Sequence, residues 1–284
     1  MDDHESAGMS GMSRRRMLGA GAVALGALSL AGSAAVPRQR TPGGARATTT
    51  PRPAAPVPAR SQPARPPALP VLAEPVRTLT DYRRAVGGPA FPADAIALTI
   101  DDGPHPVWTP KILRLLRKHH VPALFCMIGN QVLGHETIAR EVVRDGHHVA
   151  NHTWSHPTHL GSRKRKLVDK ELLRGQEKIH DTTGQAPALF RSPGGDWSPA
   201  LLRDAAAHQL VPLDWSDDPR DWSRPGVAHI TRRLLAARPG QILLCHDGGG
   251  DRSQTYTSLK TVLPALRAKG LTFVALDRRP RPEV

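Results

Sequence analysis

Between residues 79 and 276 short apolar runs alternate with longer stretches of helical pattern, and this alternation constrains the fold more than any other feature. The apolar runs lie at 95–100, 123–128, 148–150, 189–191, 210–214, 241–245 and 272–276. The helical stretches lie at 109–118, 135–145, 163–183, after Ser198-Pro199, 227–237 and 256–269. Strands and helices in this order build parallel βαβ units. About seven strands predict an α/β fold of the irregular (β/α) barrel kind. Local signals agree: Thr109-Pro110 reads as an N-cap with a first-turn proline, and Ser198-Pro199 reads the same way. Gly146 and Gly184 suit the left-handed position after a helix.

The chain ahead of this pattern has a different composition. Many of its 28 Pro fall between residues 37 and 76, interleaved with Arg and almost free of acid. Such a segment cannot bury a core and predicts a disordered linker. Before it, Ser13-Arg14-Arg15-Arg16-Met17-Leu18 opens a weakly apolar, Ala/Gly/Leu-rich stretch ending in small residues. A basic start, an apolar middle and small residues at the end predict a signal peptide over 1–36, and the paired arginines suggest twin-arginine export. The domain that does chemistry is then expected over 77–284, in a secreted or envelope-associated protein. With only two cysteines, Cys126 and Cys245, a disulfide scaffold and a Cys-rich zinc module are excluded. Both fall in apolar strands and are expected as buried thiols.

Polar residues gather just after the strands, the edge where parallel α/β folds place their sites. Asp101 and Asp102 follow the first strand, His152 and His156 the third, Arg191 and Gly194 the fourth, Asp221 the fifth and His246 the sixth. Imidazoles at i and i+4 share a face if the segment is helical, a spacing that grips one metal ion. No Glu stands between them, so a third ligand and a base must come from elsewhere. The Asp101-Asp102 pair offers both: one carboxylate completes a two-His-one-carboxylate site and the other takes a proton from water. Gly194 can present an unobstructed N–H to an oxyanion. His246 is of the type that titrates near neutrality.

Thr99-Ile100-Asp101-Asp102-Gly103-Pro104, His152-Thr153-Trp154-Ser155-His156-Pro157, Arg191-Ser192-Pro193-Gly194-Gly195, Asp218-Pro219-Arg220-Asp221-Trp222 and Ile242-Leu243-Leu244-Cys245-His246-Asp247 resemble the five ordered motifs of the polysaccharide deacetylases, carbohydrate esterase family four, with its NodB-homology domain. The resemblance implies Asp101 as general base and Asp102, His152 and His156 as ligands of a divalent metal, usually zinc, with cobalt or nickel as substitutes. It implies that Arg191 orients Asp101, that Asp221 pairs with His246 as general acid, and that Gly194 holds the oxyanion. Trp222 and Leu244 would line the pocket for the acetyl methyl. Two positions depart from the pattern: Ile100 replaces a common aromatic, and Gly194 stands where many members carry Tyr.

The implied activity is hydrolysis of the acetamide of an N-acetylated polysaccharide, peptidoglycan or chitin-like, with the glycan as the only expected partner. An O-acetyl xylan esterase of the same family and a catalytically silent glycan-binding domain are the alternatives. The formal charge of +14 also fits nucleic acid, but the export signal argues against that. Arg163-Lys164-Arg165-Lys166 and the tail at 278–281 read as solvated surface.

Overall fold

All seven residues of β1 (Ala95–Asp101) are buried, as expected of a strand covered on both faces. The computed structural model describes residues 69–276. The signal at 1–36, most of the linker and the tail at 278–281 lie outside the described residues. Around β1 the sheet gathers β2 (Leu124–Met127), β3 (His148–Asn151), β4 (Leu189–Phe190), β5 (Val211–Pro212) and β6 (Ile242–His246), in the order β5-β4-β3-β2-β1-β6. β7 (Thr272–Phe273) pairs with the start of β1. Every ladder is parallel.

The helices are α1 (Leu79–Val86), α2 (Trp108–His119), α3 (Gly129–Val132), α4 (Glu136–Arg144), α5 (Arg165–Thr183), α6 (Pro199–Ala207), α7 (Val227–Leu235) and α8 (Ser253–Ala268). One core cluster joins the sheet to α2, α4, α7 and α8 through Ile112, Leu116, Val142, Leu234, Leu259 and Leu263. A second fills the inside of the curled sheet with Tyr82, Ala97, Leu124, Cys126, Ile242 and Leu213.

The sheet curls without closing into a regular barrel, since no ladder joins β5 to β6. Irregular chain bridges that gap. Val76 pairs with Leu213, Thr78 with Gln241, and Asp217 with Leu243. The end of the segment expected to be linker is therefore part of the fold. Leu69 and Leu72 pack on the inner cluster, and Val76 is buried.

Two local expectations are corrected. Thr109 lies inside α2, whose N-cap is Val107 without a side-chain hydrogen bond. Its hydroxyl instead donates to the buried Asp247 carboxylate at 2.5 Å. Nor is the His152–His156 segment helical, because Thr153 and His156 hold φ of 68° and 56°. By contrast Ser198 does cap α6, accepting from Leu201 N at 3.2 Å. Gly146 and Gly184 adopt positive φ after α4 and α5 as expected.

Candidate active site

The expected site residues converge at the carboxyl edge of the sheet. A cavity of about 650 Å³ is lined there by Asp101, Asp102, His152, His156, Gly194, Trp222, Leu244 and His246, together with Trp215, Asp218 and Arg252. Arg191 and Asp221 lie one layer behind the wall, buried and bonded to residues that line it.

The loop carrying the two histidines is shaped by side chains. Asn151, the last residue of β3, accepts from Thr153 N at 2.9 Å and donates to Leu172 O in α5. Thr153 Oγ1 accepts from His156 N, and Glu171 accepts from both the N–H and the hydroxyl of Ser155. Gly175 in α5 allows the close approach, since a Cβ there would stand 2.6 Å from Asn151 Oδ1 and 2.9 Å from the Thr153 carbonyl. The result sets the two rings 4.8 Å apart, edge to face.

Asp102 sits at φ 75° on the turn after β1. Its Oδ1 is 3.4 Å from Nε2 of His152 and 3.4 Å from Nε2 of His156. That oxygen is buried and has no hydrogen-bond partner. His152 Nδ1 lies 2.8 Å from the Arg191 carbonyl. A carbonyl only accepts, so in the neutral ring the hydrogen is on Nδ1 and Nε2 points a lone pair inward. Burial pushes the Asp102 carboxyl up, but the imidazoles of His152, His246 and His156 around it bring it below the ordinary carboxylate range. Burial, and then the neighbouring His152, lowers His156, so the neutral ring is favoured. Two imidazoles and a carboxylate, with ligand atoms all within 4.8 Å of one another, are a donor set for a divalent metal ion. An orphaned buried oxygen is the expected mark of such a group.

On one wall, Arg191 is fully buried and donates to Asp101 Oδ1 at 2.6 Å, to Thr99 Oγ1 at 2.8 Å and to the Asp214 carbonyl at 2.9 Å. Asp101 Oδ2 faces His152 Nε2 at 3.9 Å. On the other wall, Asp221 Oδ1 accepts from His246 Nδ1 at 2.7 Å, and its Oδ2 accepts from His246 N and Thr255 Oγ1. Burial alone would lower the His246 pKa, but the hydrogen bond and charge of Asp221, with Asp102 and Asp101 beyond, raise it to about 9. The ring is a cation at neutral pH.

The family model described as polysaccharide deacetylase matches residues 88–213. A peptidoglycan-N-acetylglucosamine deacetylase of Bacillus cereus is 41% identical over 185 residues, covering 64% of this chain and 86% of that protein. The chain belongs to the polysaccharide deacetylase family. A chitooligosaccharide deacetylase of Sinorhizobium fredii is 38% identical, with 70% and 97% covered. The family 4 carbohydrate esterase from Streptomyces lividans, solved with acetate, superposes with a TM-score of 0.60 at 29% identity, covering 67% of this chain and 98% of that one.

Within this deacetylase framework, several residues to which the sequence assigned no role support the site. Asp247 is fully buried and packs against Gly103, where a Cβ would lie 2.4 Å from its Oδ1. Burial lifts its carboxyl to about 7 against the opposing Thr109 bond. Thr99, Asp214 and Thr255 hold Arg191 and Asp221 in place. Arg252 donates to the carbonyls of Gly248, Gly249 and Trp222, bracing the loop after β6. The signal for Asp247 was its place beside His246; the others needed tertiary contacts. Cys126 and Cys245 are free and buried, as expected.

Proposed function

We propose that this protein is an exported, metal-dependent hydrolase that removes acetyl groups from an N-acetylated glycan of the cell envelope. The observation that carries this reading is the orphaned Asp102 Oδ1 between two imidazoles, with a carboxylate and a cationic imidazole on opposite walls of one cavity. Asp102, His152 and His156 would hold a divalent ion, which would supply Lewis acidity to the water and the acyl group.

The chain's own residues do the rest. Asp101 takes the proton of the attacking water on Oδ2, because Arg191 occupies Oδ1. The Gly194 N–H stabilises the oxygen on which negative charge develops. His246 delivers a proton from Nε2 to the departing nitrogen while Asp221 holds Nδ1. Leu244 and Trp222 enclose the methyl. The carbon–oxygen bond forms, the carbon–nitrogen bond breaks, and acetate leaves a free amine. Export rests on the twin-arginine pattern at 13–18; secretion that persists in a strain lacking that translocase would refute it.

The test is acetate release from N-acetylglucosamine oligomers and from peptidoglycan, measured for the parent and for Asp101→Asn. The parent is expected to release acetate and the variant to lose nearly all of it. Equal release by both would sink the mechanism.

A further inference from the structure

The basic run at 163–166, first read as solvated surface, sits beside the catalytic loop. Arg163, Lys164, Arg165 and Lys166 are all exposed. Arg163 donates to the Thr158 carbonyl, two residues past His156. Gly161, between them, is tied to the turn that bears Gly194: its N–H donates to Asp196 at 2.7 Å, and its carbonyl accepts from Ser198. The run continues down the outer face of α5 through Lys170 and Arg174, both exposed, and Arg174 lies 3.9 Å over the Trp154 ring of the histidine loop. Helical spacing puts Lys166, Lys170 and Arg174 in one row.

Few of these cations have an acid to neutralise them. Arg165 pairs with Asp169 and Asp204. Among the described residues no ion pair joins Arg163, Lys164, Lys166, Lys170 or Arg174 to a carboxylate, and the exposed acids of the same helix, Glu177 and Asp181, lie further along it. Across the cavity, Arg220 is also exposed and lies 5.4 Å over the Trp222 ring. The carboxylate among the lining residues outside the catalytic set is Asp218, whose Oδ1 accepts from Arg220 N.

The placement works against folding. Lys164 is the N-cap of α5, makes no side-chain cap, and the first turn holds no acid. Cations at that end oppose the helix dipole. A chain free to optimise α5 alone would put Asp or Glu there, as it put a capping box at Thr78 and Asp81 for α1.

We infer that the face of α5 formed by Arg163, Lys164, Lys166, Lys170 and Arg174 is a docking surface for the glycan strand itself, and that this strand carries carboxylates. The inference rests on the deacetylase reading and deepens it. A neutral chitin-like chain gains nothing from five uncompensated cations, whereas a strand bearing acidic substituents between its acetamides is drawn along α5 and delivers its next acetyl group to the adjacent cavity. Because the surface and the cavity share the 152–163 loop, one strand spans both, and a separate polyanion would have no need of that contiguity.

The experiment measures binding and turnover separately. Binding is read by fluorescence anisotropy with labelled peptidoglycan strands, intact or with their carboxylates converted to amides, at low and high salt. Turnover is read as acetate release from the same strands and from neutral chitin oligomers. The parent is expected to bind intact strands about tenfold tighter than amidated ones, the difference vanishing near 0.5 M salt, where screening lengths fall to a few ångströms. In Lys164→Glu/Lys166→Glu/Lys170→Glu the ratio is expected to fall to about one, while its melting temperature is not lowered, because acids suit the start of a helix. A parent ratio near one, a ratio unchanged in the triple variant, or tighter binding of a phosphodiester polymer of equal length and charge would overturn the inference. Absence of acetate from every substrate would overturn the deacetylase reading instead, and the binding ratio would still decide the surface.

Discussion

The two walls of the cavity hold the same device, a buried carboxylate against a cation, yet give it opposite duties. Arg191 cannot release its proton, so its pair with Asp101 is a fixed counter-charge. It satisfies one oxygen of Asp101 and leaves the other facing the cavity. His246 can release its proton, and there the carboxylate is the fixed member: both oxygens of Asp221 are taken, by the ring, by the His246 N–H and by Thr255. The difference teaches that counting free oxygens and releasable protons separates the two walls without reference to substrate, in the sense the proposed base and acid require. Asp101 has the spare acceptor, and His246 has the spare donor.

The largest effect that bears on this contrast is expected from Asp101→Asn, which removes the acceptor and keeps the shape. Steady-state kinetics should show kcat lower by about 10²–10⁴-fold, with the bound metal content unchanged. Arg191→Met should act on stability as much as on rate. It strands Asp101 without its partner, and leaving one member of a buried pair costs about 3–5 kcal/mol, measurable by urea denaturation. If that variant is as stable as the parent, the fixed-charge role of Arg191 is wrong.

Asp221→Asn should change the pH profile more than the maximal rate. With the carboxylate in place the ring stays protonated until about pH 9, so the alkaline limb of kcat should lie there. Without Asp221, burial dominates, and the limb should move to or below the ordinary histidine value near 6.5. The same linkage appears in stability. Because the folded-state pKa of His246 is raised, its contribution is fully present below about pH 6.5 and is lost as pH rises through about 9. Melting temperatures across that window should decline in the parent and decline less in Asp221→Asn. The smallest effect is expected from Thr255→Val, which removes one of the two donors to Asp221 Oδ2. A few-fold fall in kcat and a slight acid-ward shift of the limb would show that this bond orients rather than charges the pair.

Much of this arrangement was legible in the sequence because strands end where their apolar runs end. Asp101, His152, Arg191 and His246 stand at those ends, and parallel topology brings the ends together. Caps were legible where the signal is local, as at Ser198 and Gly184. What the sequence hid is non-local. Thr109 looks like a helix cap, and only the fold sets its hydroxyl against Asp247, 138 residues away. The Arg191–Thr99 bond spans 92 residues. The bridging of β5 to β6 by Val76–Thr78 was masked by proline-rich composition just before it. Two signals were available and unused: Thr78 and Asp81 form a capping box that announces α1, and Pro157 disfavours a helical conformation at His156.

The most direct test of the account is a metal titration of chelator-stripped protein, followed by acetate release from N-acetylglucosamine oligomers. The stripped protein should be inactive, and activity should rise with added Zn²⁺ to a plateau at one equivalent, with Asp102→Ala failing to recover. Undiminished release after stripping, or full recovery in Asp102→Ala, would contradict it.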